Sequence, residues 1–322
     1  MKARNIKYYL LLTLLLICLA PGMITAQIVR VGLAWQPNPK ANDRVVRSIE
    51  LAGGGAVLLE QVRPVGWDYD SLLLNNNYVD SNGVLLSEYA ERVKLSSWHD
   101  TNAAQVLEGV DAVVFLGGGD ISSTLFRVPE SWGGETCDAT RDVSEYLTMA
   151  YCLDHDIPVM GLCRGMQMLS VVSGASMIQD LGTYYSAKGV DYDNLHRSLR
   201  DENGNRHYTP HDVLVTDHNS RLYAIAKSDT IKNVPSWHHQ VVSSIDGTQL
   251  KVTGVTHTQG VDIIEAVERK DKGFALGVQF HPEEAVRKNL YEDPDADQFM
   301  QLYEGVNYFR ELINYCINQH KN

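Results

Sequence analysis

Residues 158–167 read Pro-Val-Met-Gly-Leu-Cys-Arg-Gly-Met-Gln, an apolar run that ends in Gly161-x-Cys163-x-Gly165. A strand turning sharply into a helix needs small residues beside the turn, and it pushes the apex residue out at the carboxyl edge of the sheet. With cysteine at the apex this is a thiol nucleophile elbow, and a helix N-terminus behind the sulfur favours negative charge on it. By itself the segment also fits a buried cysteine between glycines that merely permit close packing. Two other segments bear on the choice. In Phe280-His281-Pro282-Glu283, positions two apart project to one side if the extended geometry continues, so His281 and Glu283 are expected to touch. A carboxylate on one imidazole nitrogen fixes the tautomer and leaves the other nitrogen to take the thiol proton. Leu116-Gly117-Gly118-Gly119-Asp120 ends another buried run, and glycines there free backbone N–H groups to face a ligand. The N–H of Gly118 with that of Arg164 is expected to form an oxyanion hole. His-Pro-Glu alone is more often a strand-ending turn, and a glycine run alone is more often a flexible one. All three fall where open α/β sheets bind ligands, and together they assign Cys163 as nucleophile, His281 as base and Glu283 as the orienting carboxylate.

The elements that must position these residues alternate between strand and helix. Ile28 to Trp35 reads as a buried strand, Asn42 to Leu51 as a short helix and Ala56 to Glu60 as a strand after Gly53-Gly54-Gly55. A strand at Ala112 to Leu116, a helix from about Arg141 and a strand at Ile157 to Leu162 resume the pattern. Nearly continuous apolar strands predict an α/β fold with a mostly parallel central sheet covered on both faces. Val261 to Val267 and Phe274 to Phe280 form a late strand pair, and a C-terminal helix runs through Phe299, Leu302, Val306, Phe309, Ile313 and Cys316. Residues 64–100 lack clean periodicity and read as an insertion of loops, with room for a short helix, able to serve as a lid.

Lys2, Arg4 and Lys7 precede an apolar run from Tyr8 to Ala20, Pro21-Gly22 and the small residue Ala26, the layout of a secretory signal peptide cleaved after about Ala26. The expected location is secreted or periplasmic, with no stable membrane anchor, because the run is shorter than the roughly 20 residues of a bilayer span. Removing residues 1–26 moves the formal net charge from −12 to −15, which argues against a nucleic-acid partner. Residues 27–322 contain no low-complexity linker and are expected to form a single domain. Cys137, Cys152, Cys163 and Cys316 are too few for a disulfide scaffold. A single bridge among Cys137, Cys152 and Cys316 stays open, beside the blander reading of buried thiols.

With these residues in hand, the chain resembles class I glutamine amidotransferase-like proteins, in particular the gamma-glutamyl hydrolase group that includes gamma-glutamyl-gamma-aminobutyrate hydrolases. The resemblance runs from Leu116–Asp120 through Arg141-Asp142, Gly161–Gln167, Gln179–Leu181, His211–Val213, Ser236-Trp-His-His-Gln240 and Glu265-Ala266 to Gly277–Glu283. It implies a three-layer flavodoxin-like sandwich and a Cys163-His281-Glu283 triad. That triad would cleave an amide at the gamma-carboxyl of a glutamyl group through a thioester, with no cofactor. It also implies that the segment with Ser236, His238, His239 and Gln240 holds the glutamyl head group, with Gln167 beside the cysteine. Residues 64–100 look longer than the family's segment, and a leader is unlike the cytoplasmic polyamine-degrading members. Gamma-glutamyl peptides, folate polyglutamates and peptidoglycan fragments are therefore the expected substrate pool, with a homodimer compatible.

Two rivals stay open. A glutaminase subunit feeding ammonia to a synthase needs a partner that this chain does not itself supply. A non-catalytic binding protein on the same fold would be free to lose triad members, and all three are present. The histidines His196, His207, His211, His218, His238 and His239 raise a metal question, since His207 and His211 have helical spacing. Their Asn-, Gly- and Pro-rich surroundings read as loop, and no metal is assigned.

Overall fold

The apolar runs become the strands of a nine-stranded sheet in the computed structural model, which describes residues 28–38, 42–128, 134–204 and 207–321. The leader expected at residues 1–26 lies outside the described residues. In chain order the first elements are β1 (Arg30–Leu33), α1 (Asp43–Ala52) and β2 (Gly55–Leu58). The hairpin β3 (Tyr69–Asp70) and β4 (Leu73–Leu74) follows, with α2 (Ser87–Ser96) and the short α3 (Ala103–Val106). Then come β5 (Ala112–Phe115), α4 (Ala139–Asp154), β6 (Val159–Leu162), α5 (Arg164–Val172), β7 (Ser176–Ile178) and α6 (Leu181–Ala187). The remainder is β8 (Thr209–Val215), α7 (Arg221–Ala226), β9 (Thr230–Ser236), β10 (Val241–Ser244), β11 (Leu250–Thr258), β12 (Val261–Arg269), β13 (Ala275–Val278), α8 (Pro282–Leu290) and α9 (Leu302–Gln319).

The strand order is β2-β1-β5-β6-β13-β12-β11-β8-β9. The first five strands are parallel, and the last four continue as an antiparallel wing. Alternation along β5 sends Val113 and Phe115 into one apolar layer and Ala112 and Val114 into the other. The first layer is closed by α2, α4 and α5, the second by α1, α8 and α9. This is the three-layer sandwich expected, and burial on both faces is why its parallel strands read as unbroken apolar runs.

Residues 64–100 are ordered by packing rather than by periodicity. Trp67 and Tyr78 stack with ring centroids 4.9 Å apart, and Tyr89 packs against both. Leu74, Leu85, Ala90 and Val93 are buried in the first apolar layer. Cys137, Cys152, Cys163 and Cys316 are buried and unbridged. No helix among the described residues is long and apolar enough to cross a membrane.

Candidate active site

At the junction of β6 and α5, Cys163 has φ 51° and ψ −105°, a left-handed region that costs a non-glycine residue roughly 1–3 kcal/mol. The flanking glycines make the bend feasible. A Cβ on Gly161 would stand 2.4 Å from the Gly165 carbonyl oxygen, and one on Gly165 would stand 2.3 Å from the carbonyl oxygen of Phe115. The strain presents the thiol at the carboxyl edge of the sheet, where Sγ accepts a hydrogen bond from Nε2 of Gln279 at 3.5 Å.

His281 and Glu283 do meet beside it, but extended backbone is not the reason. The strand β13 ends at Val278 and His281 caps α8, so Glu283 sits in the first helical turn. Proline at the helix's first position starts the turn early. Nδ1 of His281 lies 2.7 Å from Oε1 of Glu283, both groups being buried. Burial alone would disfavour the imidazolium. The electrostatic influence of Tyr208, Glu283 and Cys163 outweighs it and holds His281 well above its ordinary value. Burial likewise opposes ionisation of Glu283, yet His281 and Arg44 keep its carboxyl below the usual range.

The glycine loop after β5 is anchored by a buried charge network. Nη2 of Arg141 donates to the carbonyls of Leu116 and Gly117, both at 3.0 Å, while its Nε donates to Glu145 at 2.7 Å. Glu145 and Asp142 also hold the Arg164 guanidinium. The Arg164 side chain is therefore buried under the site, which leaves its backbone N–H, at the start of α5, as the part of the residue next to Cys163. Asp142 additionally accepts from the backbone and hydroxyl of Ser122 at 2.9 and 2.6 Å.

A cleft of about 200 Å³ opens at the sulfur, lined by Gln36, Arg44, Gly117, Gly118, Cys163, Tyr208, Trp237, His281 and Glu283. No residue of the 64–100 segment lines it. Arg44 and Tyr208 also line an adjoining groove of about 480 Å³ with Arg47, Glu284 and Arg287. Nη1 of Arg44 donates to the Tyr208 hydroxyl at 3.0 Å and to Glu284 at 2.7 Å, and the Tyr208 and His281 rings lie 5.1 Å apart.

Of the residues expected to hold the head group, none of Gln167, Ser236, His238, His239 and Gln240 lines this cleft. Gln167 donates to the Gln240 carbonyl at 2.8 Å, and the Ser236 hydroxyl donates to the carbonyl of His196 at 3.2 Å. His239 bridges Asp120 at 2.9 Å and Asp180 at 3.2 Å. Although burial works against its charge, Asp120 and Asp180 raise it. His238 joins His196, His211 and Glu265 in a separate buried cluster. The segment 236–240 thus contributes Trp237 to the wall, its other members tying loops together behind it. Sequence reasoning missed Arg44, Tyr208 and Glu145. Arg44 opens the helix after β1, hence at the sheet's carboxyl edge, and Glu145 stands four residues after Arg141, so position alone offered a signal for both.

The Peptidase C26 family pattern matches residues 75–283. Protein NtpR of Enterococcus hirae is 29% identical over 204 residues, covering 62% of this chain and 78% of that protein. A Mycobacterium tuberculosis protein provisionally named a glutamine amidotransferase is 30% identical over 244 residues, covering 72% of this chain and 70% of its own. Among solved structures, a Thermoplasma acidophilum protein provisionally named as one of the subunits of GMP synthase shares the fold. It has a TM-score of 0.51 at 14% identity and covers 91% of this chain and 96% of that one. Elbow, His-Glu pair and glycine loop lie within the matched span, and the chain belongs to the Peptidase C26 family of class I glutamine amidotransferase-like hydrolases and amidotransferases.

Proposed function

We propose that this protein hydrolyses gamma-glutamyl amide bonds through a thioester on Cys163. The observation that carries the reading is the 2.7 Å His281–Glu283 contact beside a cysteine held at φ 51°. With Nδ1–H donated to Glu283, Nε2 is free to exchange a proton with the sulfur. The thiolate adds to the gamma-carbonyl carbon, and the developing oxyanion is received by the N–H groups of Gly118 and Arg164. Collapse breaks the C–N bond as His281 protonates the departing amine. Water, deprotonated by His281, then releases glutamate and restores the thiol.

The adjoining groove supports a carboxylate-bearing leaving amine, such as an amino acid or peptide. It carries Arg44, Arg47 and Arg287 beside Asp43 and Glu284, and guanidinium groups are suited to meet a carboxylate. The leader-like residues 1–26 make extracytoplasmic gamma-glutamyl compounds the first to try. The test is incubation of the chain and its Cys163→Ala variant with L-glutamine, L-gamma-glutamyl dipeptides and D-gamma-glutamyl peptidoglycan fragments, with amine release followed by mass spectrometry. Cleavage of peptides by the wild type alone supports the proposal. Release of ammonia from glutamine alone supports a glutaminase, and equal release by both proteins removes Cys163 from the chemistry.

A further inference from the structure

Behind the wall of the cleft, four side chains from four parts of the chain converge. His196 comes from the loop before β8, His211 from β8, His238 from the turn after β9 and Glu265 from β12. All four are at least 95% buried. Oε1 of Glu265 lies 3.0 Å from Nδ1 of His196, 3.6 Å from Nε2 of His238 and 3.8 Å from Nε2 of His211. The first contact is not aligned as a hydrogen bond, and the other two are too long to be one. Both ring nitrogens of His196 and His238, Nε2 of His211 and both Glu265 oxygens are buried without hydrogen-bond partners. Folding does not leave so many polar atoms uncompensated in one place.

We propose that His196, His211, His238 and Glu265 form a binding site for one divalent metal ion, with zinc the best match. Imidazole and carboxylate donors at a tetrahedral zinc, with bonds of about 2.0–2.2 Å, stand roughly 3.3–3.5 Å apart, and the three separations from Glu265 bracket that value. The ligands are prepared for it. Nδ1 of His211 lies 3.3 Å from the Asp212 carbonyl and 3.2 Å from the Thr256 hydroxyl, which places its proton there and turns the Nε2 lone pair toward the cluster. Four protein ligands close a structural site with no position left for substrate.

Position suggests what the ion would do. Trp237, next to His238, and Tyr208, three residues before His211, both line the cleft. An ion at the cluster ties the 190–196 loop, β8, β9 and β12 behind those two side chains, making its ligands positioning residues rather than catalytic ones.

The test is metal analysis of the full chain carrying no polyhistidine tag, grown with zinc and then stripped and reloaded with zinc or cobalt(II). About one zinc per chain is expected, with the visible absorption of tetrahedral cobalt in the reloaded protein. Cys163→Ala should retain the ion. Glu265→Gln and His211→Gln should lose it. Should either fail to fold, Thr256→Val, which removes only the hydroxyl beside His211, should weaken zinc affinity roughly tenfold. Stripping should lower the Tm of the wild type and raise KM more than it lowers kcat. A folded wild type without stoichiometric metal, whose Tm is indifferent to zinc and chelator, would overturn the proposal, as would undiminished binding in Glu265→Gln or Thr256→Val.

Discussion

A Cβ on Gly118 would stand 2.0 Å from Nη1 of Arg141. The guanidinium cannot step aside without releasing Glu145 and the carbonyls of Leu116 and Gly117. The glycine loop is therefore matched to the buried arginine beneath it, and Gly117 and Gly118 line the cleft on the other side. Gly118→Ala keeps the N–H, but its methyl forces the loop away from Arg141 and the donor out of line, which is expected to lower kcat on a gamma-glutamyl amide by about 10²–10³-fold, with KM changed far less. Steady-state kinetics on the folded variant checks this, and a change confined to KM would remove Gly118 from the oxyanion hole.

Glu145 holds two arginines at once, with its side chain fully buried. Replacing it with leucine leaves both guanidinium groups short of a counter-charge, and breaking one partner of a buried pair costs about 3–5 kcal/mol. Glu145→Leu should lower the urea midpoint sharply. Chemical denaturation of the variant beside Glu91→Ala, whose surface pair with Lys94 is worth at most about 1 kcal/mol, provides the comparison.

The elbow, glycine loop and terminal His-Pro-Glu could be found from sequence because each is a local motif at the end of an apolar run. The sheet was readable for the same reason, since β5 and β6 are buried on both faces. What escaped was everything that depends on distance along the chain. Arg44 reaches Glu284 across 240 positions, and Tyr208 reaches Arg44 across 164. His196 and Glu265 meet only because β12 lies in the antiparallel wing. The 64–100 segment carried no periodic signal because its burial rests on a Trp67–Tyr78–Tyr89 cluster rather than on a repeating apolar face. His281 and Glu283 were joined correctly through the wrong geometry, because Pro282 converts an apparent strand end into a helix start.

Arg44 faces both the cleft and the adjoining groove, tied to Glu284 and Tyr208. Arg44→Met keeps the aliphatic stem but removes the cation. For a gamma-glutamyl amino acid, KM should rise about tenfold, worth about 1.4 kcal/mol, while the KM of an amide with an uncharged leaving amine should hardly change, any loss of kcat through Glu283 being common to both. Equal effects on both substrates would show that the groove does not read the carboxylate.

Glu283→Gln tests the pair electrostatically. The carboxylate helps hold His281 above its ordinary value, so its removal should move the alkaline limb of the kcat/KM profile to lower pH. The pair also makes stability depend on pH. His281 is raised, so its contribution is present below the unfolded histidine value of about 6.5 and lost as pH rises through the folded one. Glu283 is lowered, so its contribution is present above the unfolded value of about 4.3 and lost as pH falls through the folded one. The stability difference between wild type and Glu283→Gln should therefore be largest between about pH 4.3 and 6.5, at about 2 kcal/mol for a hydrogen bond to a charged group. It should shrink toward alkaline pH, and urea denaturation across that range measures it. A difference that stayed unchanged into the alkaline range would mean that Glu283 pairs with a permanent cation such as Arg44 rather than with His281.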